Sequence, residues 1–523
     1  MIIFTFFVAL TILITINSPT NELRVDNVRV ETIEKDPETG MHTIQINATI
    51  LKSERTDKPQ NVTIELKGDK ELRRDISLKS DKKETVELVL DNVPEGSYKL
   101  VIADFKKDIQ IGERIVLSEY MEKSEELREL EFKDNIPFKT ISQPELREYM
   151  ENNITKEYPE GMEKPKLTLA AFGLFPQDRD FKSTLLDLYT ERPLGFYDPE
   201  KKEFYIVERE SEQNFEENPP ESVIIHELTH ALQDQHFDLG SLPTNRNPNQ
   251  DRALSVEALI EGGAMLVELS NLSGEGNLDK IFREDLESKF RERLNSITKN
   301  ERENDMPLIL EKTLTFPYYA GSIFVNAIKK ENWKSVNRAY SDPPLSTEQV
   351  LHPEKYYEEQ DNPTELNVPK LSEILGEDWN LLENNTMGEY SIGVLFLEFL
   401  GSESDIERNV EAREGWDGDF YKTYHKENDN SLGLTWFTTW DTQEDATEFK
   451  KRYLKILKEK YSDLSELHEN KTASTLVSES EYIIVEKRQK DVLILEGFSK
   501  KETQTIKRKI WSETEKDEIK KLE

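Results

Sequence analysis

The hydrophobic periodicity of this chain changes near Gly112, and that change decides its class. From Glu22 to Ile111 apolar and polar residues alternate in short runs: LRVDNVRVETI, HTIQINATI, NVTIELKG, ETVELVLDNV and SYKLVIAD. A period of two, broken by polar turns at this spacing, predicts an all-β sandwich of immunoglobulin or fibronectin-like type. Beyond Gly112 the pattern becomes helical, in ERIVLSEYMEKSEELREL, QPELREYMENN and DFKSTLLDLYTER. A hairpin, LGFYDPEKKEFYIV, and a long helix follow, and the chain stays mostly helical to about Leu400. GLTWFTTW then predicts a strand, EDATEFKKRYLKILKEKY a helix capped by Asp441 or Thr442, YIIVEK-RQKD-VLILEG a second hairpin, and the last stretch a final helix. The expected fold is α+β and multidomain. An N-terminal segment covers 1–18, the sandwich 22–112, a mostly helical domain 113–430, and a small C-terminal α/β module 431–523.

Composition excludes several functions. Asp plus Glu number 105 against 69 Lys plus Arg, a formal charge of −36, so nucleic acid is not an expected partner. With no cysteine, disulfides, thiolate metal sites and cysteine nucleophiles are ruled out, and any metal must be held by His and carboxylates. The apolar run from Ile2 to Ile16 fits a signal peptide or an N-terminal anchor, being shorter than the roughly 20 residues of a membrane span. Export to the cell surface or exterior is expected, with membrane attachment only through that segment. Six Asn-x-Ser/Thr sequons (Asn47, Asn61, Asn153, Asn271, Asn384 and Asn470) agree with it.

The chemistry lies in ESVIIHELTHALQDQHFDL. His226 and His230 are four residues apart on an apolar-periodic helix, so about 400° of rotation returns them to nearly one face. Two imidazoles at that offset grip one Zn²⁺, and Glu227 projects beside them as the general base for a water nucleophile. The third ligand has three candidates. His236 stands six residues after His230, but Gln233 occupies the place where metzincins have the glycine that turns the chain back. Glu261, in RALSVEALIEGGAMLVEL, would complete a His₂Glu site from a second helix, and it is favoured over Glu257 and His236. His352, in STEQVLHPEKY, and Tyr318 or Tyr319, in FPYYAG, are candidate donors to a developing oxyanion. The strand FYIV before the motif helix is the expected edge for an extended peptide. Trp416, Trp436 and Trp440 are expected in the core.

HELTH followed by a helix with IEGGA resembles the gluzincin metallopeptidases. More closely, HELTHALQDQHFDL, GFYDPEKKEFYIV, FPYYAGSIFV, PPLSTEQVLHPEKYY, GWDGDFY and WDTQEDATEF together resemble an archaeal cell-surface protein family of haloarchaeal type. The likeness covers most of 115–500 and leaves out the N-terminal sandwich. It implies a zincin-like core, one Zn²⁺ held by His226, His230 and Glu261, and a polypeptide substrate. One departure stands out: that family tends to read EGDA, and here Gly263 replaces the acid. The acid would orient a ligand histidine, a task Glu268 is placed to take over. The alternatives are a surface scaffold with a structural or inactive zinc site, and a zinc hydrolase of a non-peptide amide.

Overall fold

The computed structural model describes residues 7–8, 23–111, 117–208, 220–273 and 306–518, apart from interior breaks of one to seven residues. The expected N-terminal segment 1–18 lies outside the described residues except for Phe7 and Val8. The chain forms two compact units, one within Thr11–Glu122 and one taking in Lys123–Glu208 and Glu221–Glu523.

In the first unit the predicted alternation becomes seven strands in two antiparallel sheets. Leu23–Lys35, His42–Lys52 and Lys83–Val93 form one; Leu72–Leu78, Gln60–Lys67, Gly96–Ile102 and Phe105–Ile111 form the other. Because successive side chains point to opposite faces, Ile44, Ile46, Ala48 and Ile50 all face inward. They join Ile64, Leu66, Leu100 and Ile102 of the second sheet in one buried cluster.

The second unit is mixed. Gly195–Asp198 and Glu203–Glu208 form the expected hairpin, its tip held by Asp198 Oδ1, which accepts from the Glu200 and Lys201 amides at 2.9 and 3.1 Å. Phe138–Ser142 pairs in parallel with Glu203–Glu208, and Phe7–Val8 pairs with the outer side of Gly195–Asp198. The FYIV strand is therefore interior rather than an edge. Two strands need their hydrogen bonds from it, and the strand at the far side of the hairpin is Gly195–Asp198.

Three long helices carry the centre of this unit. The motif helix, Glu221–Phe237, has no proline or glycine and buries every residue from Ser222 to Asp234. It ends where Asp238 turns left-handed and Asp234 Oδ1 accepts the Leu239 amide at 3.0 Å. The ligand helix, Gln250–Ser273, and a third helix, Leu308–Lys329, cross at two glycines. A Cβ on Gly262 would stand 2.1 Å from the Gly321 carbonyl carbon, and one on Gly321 would stand 2.1 Å from the Ala258 oxygen. The two backbones touch there because no side chain intervenes. No described helix is long and apolar enough to cross a membrane.

The C-terminal sheet corrects the expected boundary at 430. Its seven antiparallel strands run, in spatial order, Asn380–Asn385, Trp416–Lys426, Ser431–Trp440, Asp491–Phe498, Glu481–Arg488, Ala473–Ser478 and Ser465–Glu469. The first two precede residue 431, and the Trp416–Lys426 strand pairs along its length with Ser431–Trp440. GLTWFTTW is buried throughout because both faces are covered. Trp436 packs on Phe449 and Tyr453 of the helix Gln443–Lys460, while its neighbour Phe437 meets Trp511 of Lys500–Glu513. Thr442 caps the first of these helices in a capping box. Trp416, Trp436 and Trp440 are core, as expected, the indoles of the first two donating to the buried Asp419 at 2.9 Å.

Candidate metal centre

On the motif helix one turn separates His226 from His230, and their ring centroids stand 4.8 Å apart. The ligand helix brings Glu261 against both: its Oε2 is 3.3 Å from His226 Nε2 and 3.3 Å from His230 Nε2. These three ligand atoms lie within 4.8 Å of one another, and all three residues are buried. The spacing fits a metal. Two N/O donors about 2.0–2.1 Å from a tetrahedral zinc ion stand roughly 3.3 Å apart, and an all-N/O set of two imidazoles and a carboxylate suits that ion.

Each of the two histidines is held from behind. Glu268, two turns beyond Glu261, places Oε2 3.0 Å from His226 Nδ1, the task that the missing acid at 263 left open. Gln233 Oε1 lies 2.8 Å from His230 Nδ1. Gln233 and Glu268 are residues of the kind that orient metal-bound imidazoles, and such partners raise ligand basicity.

The electrostatics of the metal-free centre follow from burial and from these partners. Burial opposes a charge on His226, yet hydrogen bonds with Glu261 and Glu268 and the nearby Glu227 overcome it and raise its pKa to about 10. His230 is shifted the other way, burial being the main cause. Burial also opposes the charge of Glu261, but the two imidazoles hold its carboxyl below the usual range. A proton on His226 thus stands in for a cation among the carboxylates.

Glu227 is buried beside this group and accepts the Tyr197 amide on Oε2 at 2.8 Å. The hairpin strand Gly195–Asp198 is fixed to the same helix a second time, where the Tyr197 hydroxyl donates to Asp234 at 2.9 Å. Tyr318 is brought to the centre, its ring stacked at 6.0 Å on that of His226. It sits one turn before Gly321, so the glycine crossing is what delivers it. Of the remaining candidates, Glu257 is buried one turn before Glu261 but is not one of the three converging donors. His236 points elsewhere, 2.8 Å from the Glu131 carbonyl, because the helix continues past His230 without the turn a third histidine needs. His352 pairs with Glu389 at 3.2 Å, in a cluster with Arg413, and not with the metal-ligand group. The helix Thr347–Leu351 ends at it, which turns its ring toward Glu389. Gln233 and Tyr197 lie inside HELTHALQDQHFDL and GFYDPEKKEFYIV, motifs whose spacing does not signal these contacts, and Tyr340, which bonds to Gln233, lies outside them.

A family model described as a domain of unknown function (DUF8575) matches residues 380–507. That match begins on the first strand of the C-terminal sheet and ends inside the helix Lys500–Glu513, so it covers the sheet and not His226, His230 or Glu261. No curated protein and no solved structure matches the chain.

Proposed function

We propose that this protein is an exported or surface-anchored zinc metallopeptidase of gluzincin type. The observation that carries the reading is the meeting of two imidazoles with Glu261 Oε2, which stands at tetrahedral-edge spacing, 3.3 Å, from both His226 Nε2 and His230 Nε2, with Glu227 on the residue after His226. A zinc ion held by these three residues would supply Lewis acidity to a water nucleophile and to the substrate carbonyl. Glu227 takes the proton of the water and passes it to the leaving amine. The Tyr197 amide holds one oxygen of that carboxylate in place. Tyr318, against His226, is the better placed of the two proposed oxyanion donors. The two N-terminal sheets, of three strands and four, support reading that unit as a fibronectin-like sandwich that acts as a spacer. Of the six sequons, buried Asn153 is a poor glycan acceptor.

One observation favours a second reading, a binding or scaffold protein with a structural metal: His226, Glu227 and His230 are all 0 % exposed. Cleavage of an unstructured peptide library by the zinc-loaded protein and by Glu227→Gln separates the two. The peptidase reading expects cleavage by the wild type, with a loss of roughly 10²- to 10⁴-fold in the variant. No cleavage by either protein supports the structural reading, and equal cleavage by both removes Glu227 from the mechanism.

A further inference from the structure

Gln233 lies three residues past His230 and makes three polar contacts. Oε1 is 2.8 Å from His230 Nδ1, and Nε2 is 2.9 Å from both the Ile260 carbonyl and the Tyr340 hydroxyl. A backbone carbonyl only accepts, so the atom facing Ile260 must be the amide nitrogen, which leaves the amide oxygen facing His230. An amide oxygen also only accepts, so His230 Nδ1 must carry the ring proton and Nε2 must offer its lone pair. Ile260 immediately precedes Glu261. One amide therefore sets the tautomer of one metal ligand and ties it to the backbone beside another.

The surroundings keep the amide in that orientation. Tyr340 is buried, with its ring stacked on Phe237 at 4.1 Å. The Arg128 charge acts on its hydroxyl. Arg128 is itself fully buried, its guanidinium 4.2 Å over Trp333 and 5.8 Å from Phe237, so its charge rests against aromatic rings and the Tyr340 phenol. A cation on that side favours an oxygen lone pair on Tyr340 for Gln233 to donate to. Gly263 completes the arrangement: a Cβ there would stand 2.7 Å from Gln233 Nε2 and 3.1 Å from the Tyr340 hydroxyl. The space that a side chain at 263 would fill is taken by this amide and phenol.

We infer that Gln233, oriented by the Ile260 carbonyl and by Tyr340 beside Arg128, is a positioning residue that fixes the metal-binding tautomer of His230. The inference rests on the reading that His226, His230 and Glu261 hold a metal. The two imidazoles are then unequal ligands, His226 backed by a carboxylate and His230 by a neutral amide.

Zinc affinity by chelator competition tests this in the full chain, with the unfolding midpoint of the metal-free protein recorded for each variant. Gln233→Leu removes the acceptor and is expected to bind zinc about 10- to 100-fold more weakly. Gln233→Glu, with a protonated carboxyl that donates to the Ile260 carbonyl as the amide does, keeps an acceptor toward Nδ1 and is expected to stay within a few-fold of the wild type. A side chain that merely fills space gives the reverse order, because a buried carboxylate is then the harsher change. Tyr340→Phe, which keeps the ring stack, is expected to lose about tenfold. If Gln233→Leu and Tyr340→Phe both bind like the wild type, or the glutamate variant is the weaker of the two Gln233 variants, the inference is overturned. His230→Ala sets the size of losing the whole ligand. A wild type that binds no zinc overturns the metal reading itself and the inference with it.

Discussion

Glu268 and Glu261 address opposite nitrogens of one ring: Glu268 Oε2 is 3.0 Å from His226 Nδ1, while Glu261 Oε2 is 3.3 Å from Nε2. Seven residues of helix separate the two acids, so a single rigid element sets both the ligand and the residue that orients its neighbour. Replacing Glu268 by glutamine keeps the size but removes the charge behind His226. Zinc affinity measured by chelator competition is expected to fall about 10- to 100-fold, with His230 and Glu261 still in place.

The same ring sets a pH dependence. In the metal-free protein burial disfavours the imidazolium, but Glu261 and Glu268 raise its pKa to about 10, so at neutral pH the site carries a proton that zinc must displace. Affinity therefore rises with pH, by up to about tenfold per unit below that value, and levels off above it. The metal-free protein behaves oppositely. Its His226 contribution to stability is complete below the ordinary histidine pKa and is lost as pH climbs through the raised one. Calorimetry in buffers of differing ionisation enthalpy is expected to show about one proton released per zinc bound at neutral pH. Release of none would contradict the assignment.

The glycine crossing is expected to be intolerant. Gly321→Ala forces a methyl group to 2.1 Å from the Ala258 oxygen, backbone that cannot swing aside. The helices must part, at a cost of about 1–3 kcal/mol or more. Thermal unfolding is expected to show a clearly lower midpoint, and zinc binding should weaken because Glu261 rides on the displaced helix. An unchanged midpoint would mean that the two helices do not meet at this pair.

Much of the site was legible in the sequence because it is local. His226, Glu227 and His230 share two helical turns, so the motif spacing alone brings them together. Glu261 was reachable because a helical pattern with acids at one-turn intervals follows soon after. Tyr318 was legible in FPYYAG only as one of two neighbouring tyrosines, and Tyr340 was not reachable, since their approach depends on how helices cross, and Gly262 and Gly321 signal that only once they are seen to touch. Gln233 was read only as the absence of a metzincin glycine, its role being set by the Ile260 carbonyl across the helix pair. His352 looked suitable as a polar residue in a loop motif, yet a local helix end pairs it with Glu389. Strand patterning gave three strands of the C-terminal sheet, Ser431–Trp440, Glu481–Arg488 and Asp491–Phe498, but the pairing of Trp416–Lys426 with Ser431–Trp440 carries that sheet across the expected boundary.

Two histidines excluded from the centre give a check in the other direction. His236→Ala removes a ring bound to the Glu131 carbonyl, and His352→Ala a partner of Glu389. Both variants are expected to bind zinc like the wild type. The second should also lose about 1–3 kcal/mol of stability, because it leaves the buried Glu389 with Arg413 alone of its two cationic partners. Loss of zinc from His236→Ala would restore that residue as a ligand.

The central claim is most directly tested by counting zinc in purified protein after loading and exhaustive dialysis, using elemental analysis of the wild type, Glu227→Gln and Glu261→Ala. The geometry predicts one ion per chain in the first two and almost none in the third. A zinc-free wild type, or a Glu261→Ala variant that keeps its ion, would contradict it.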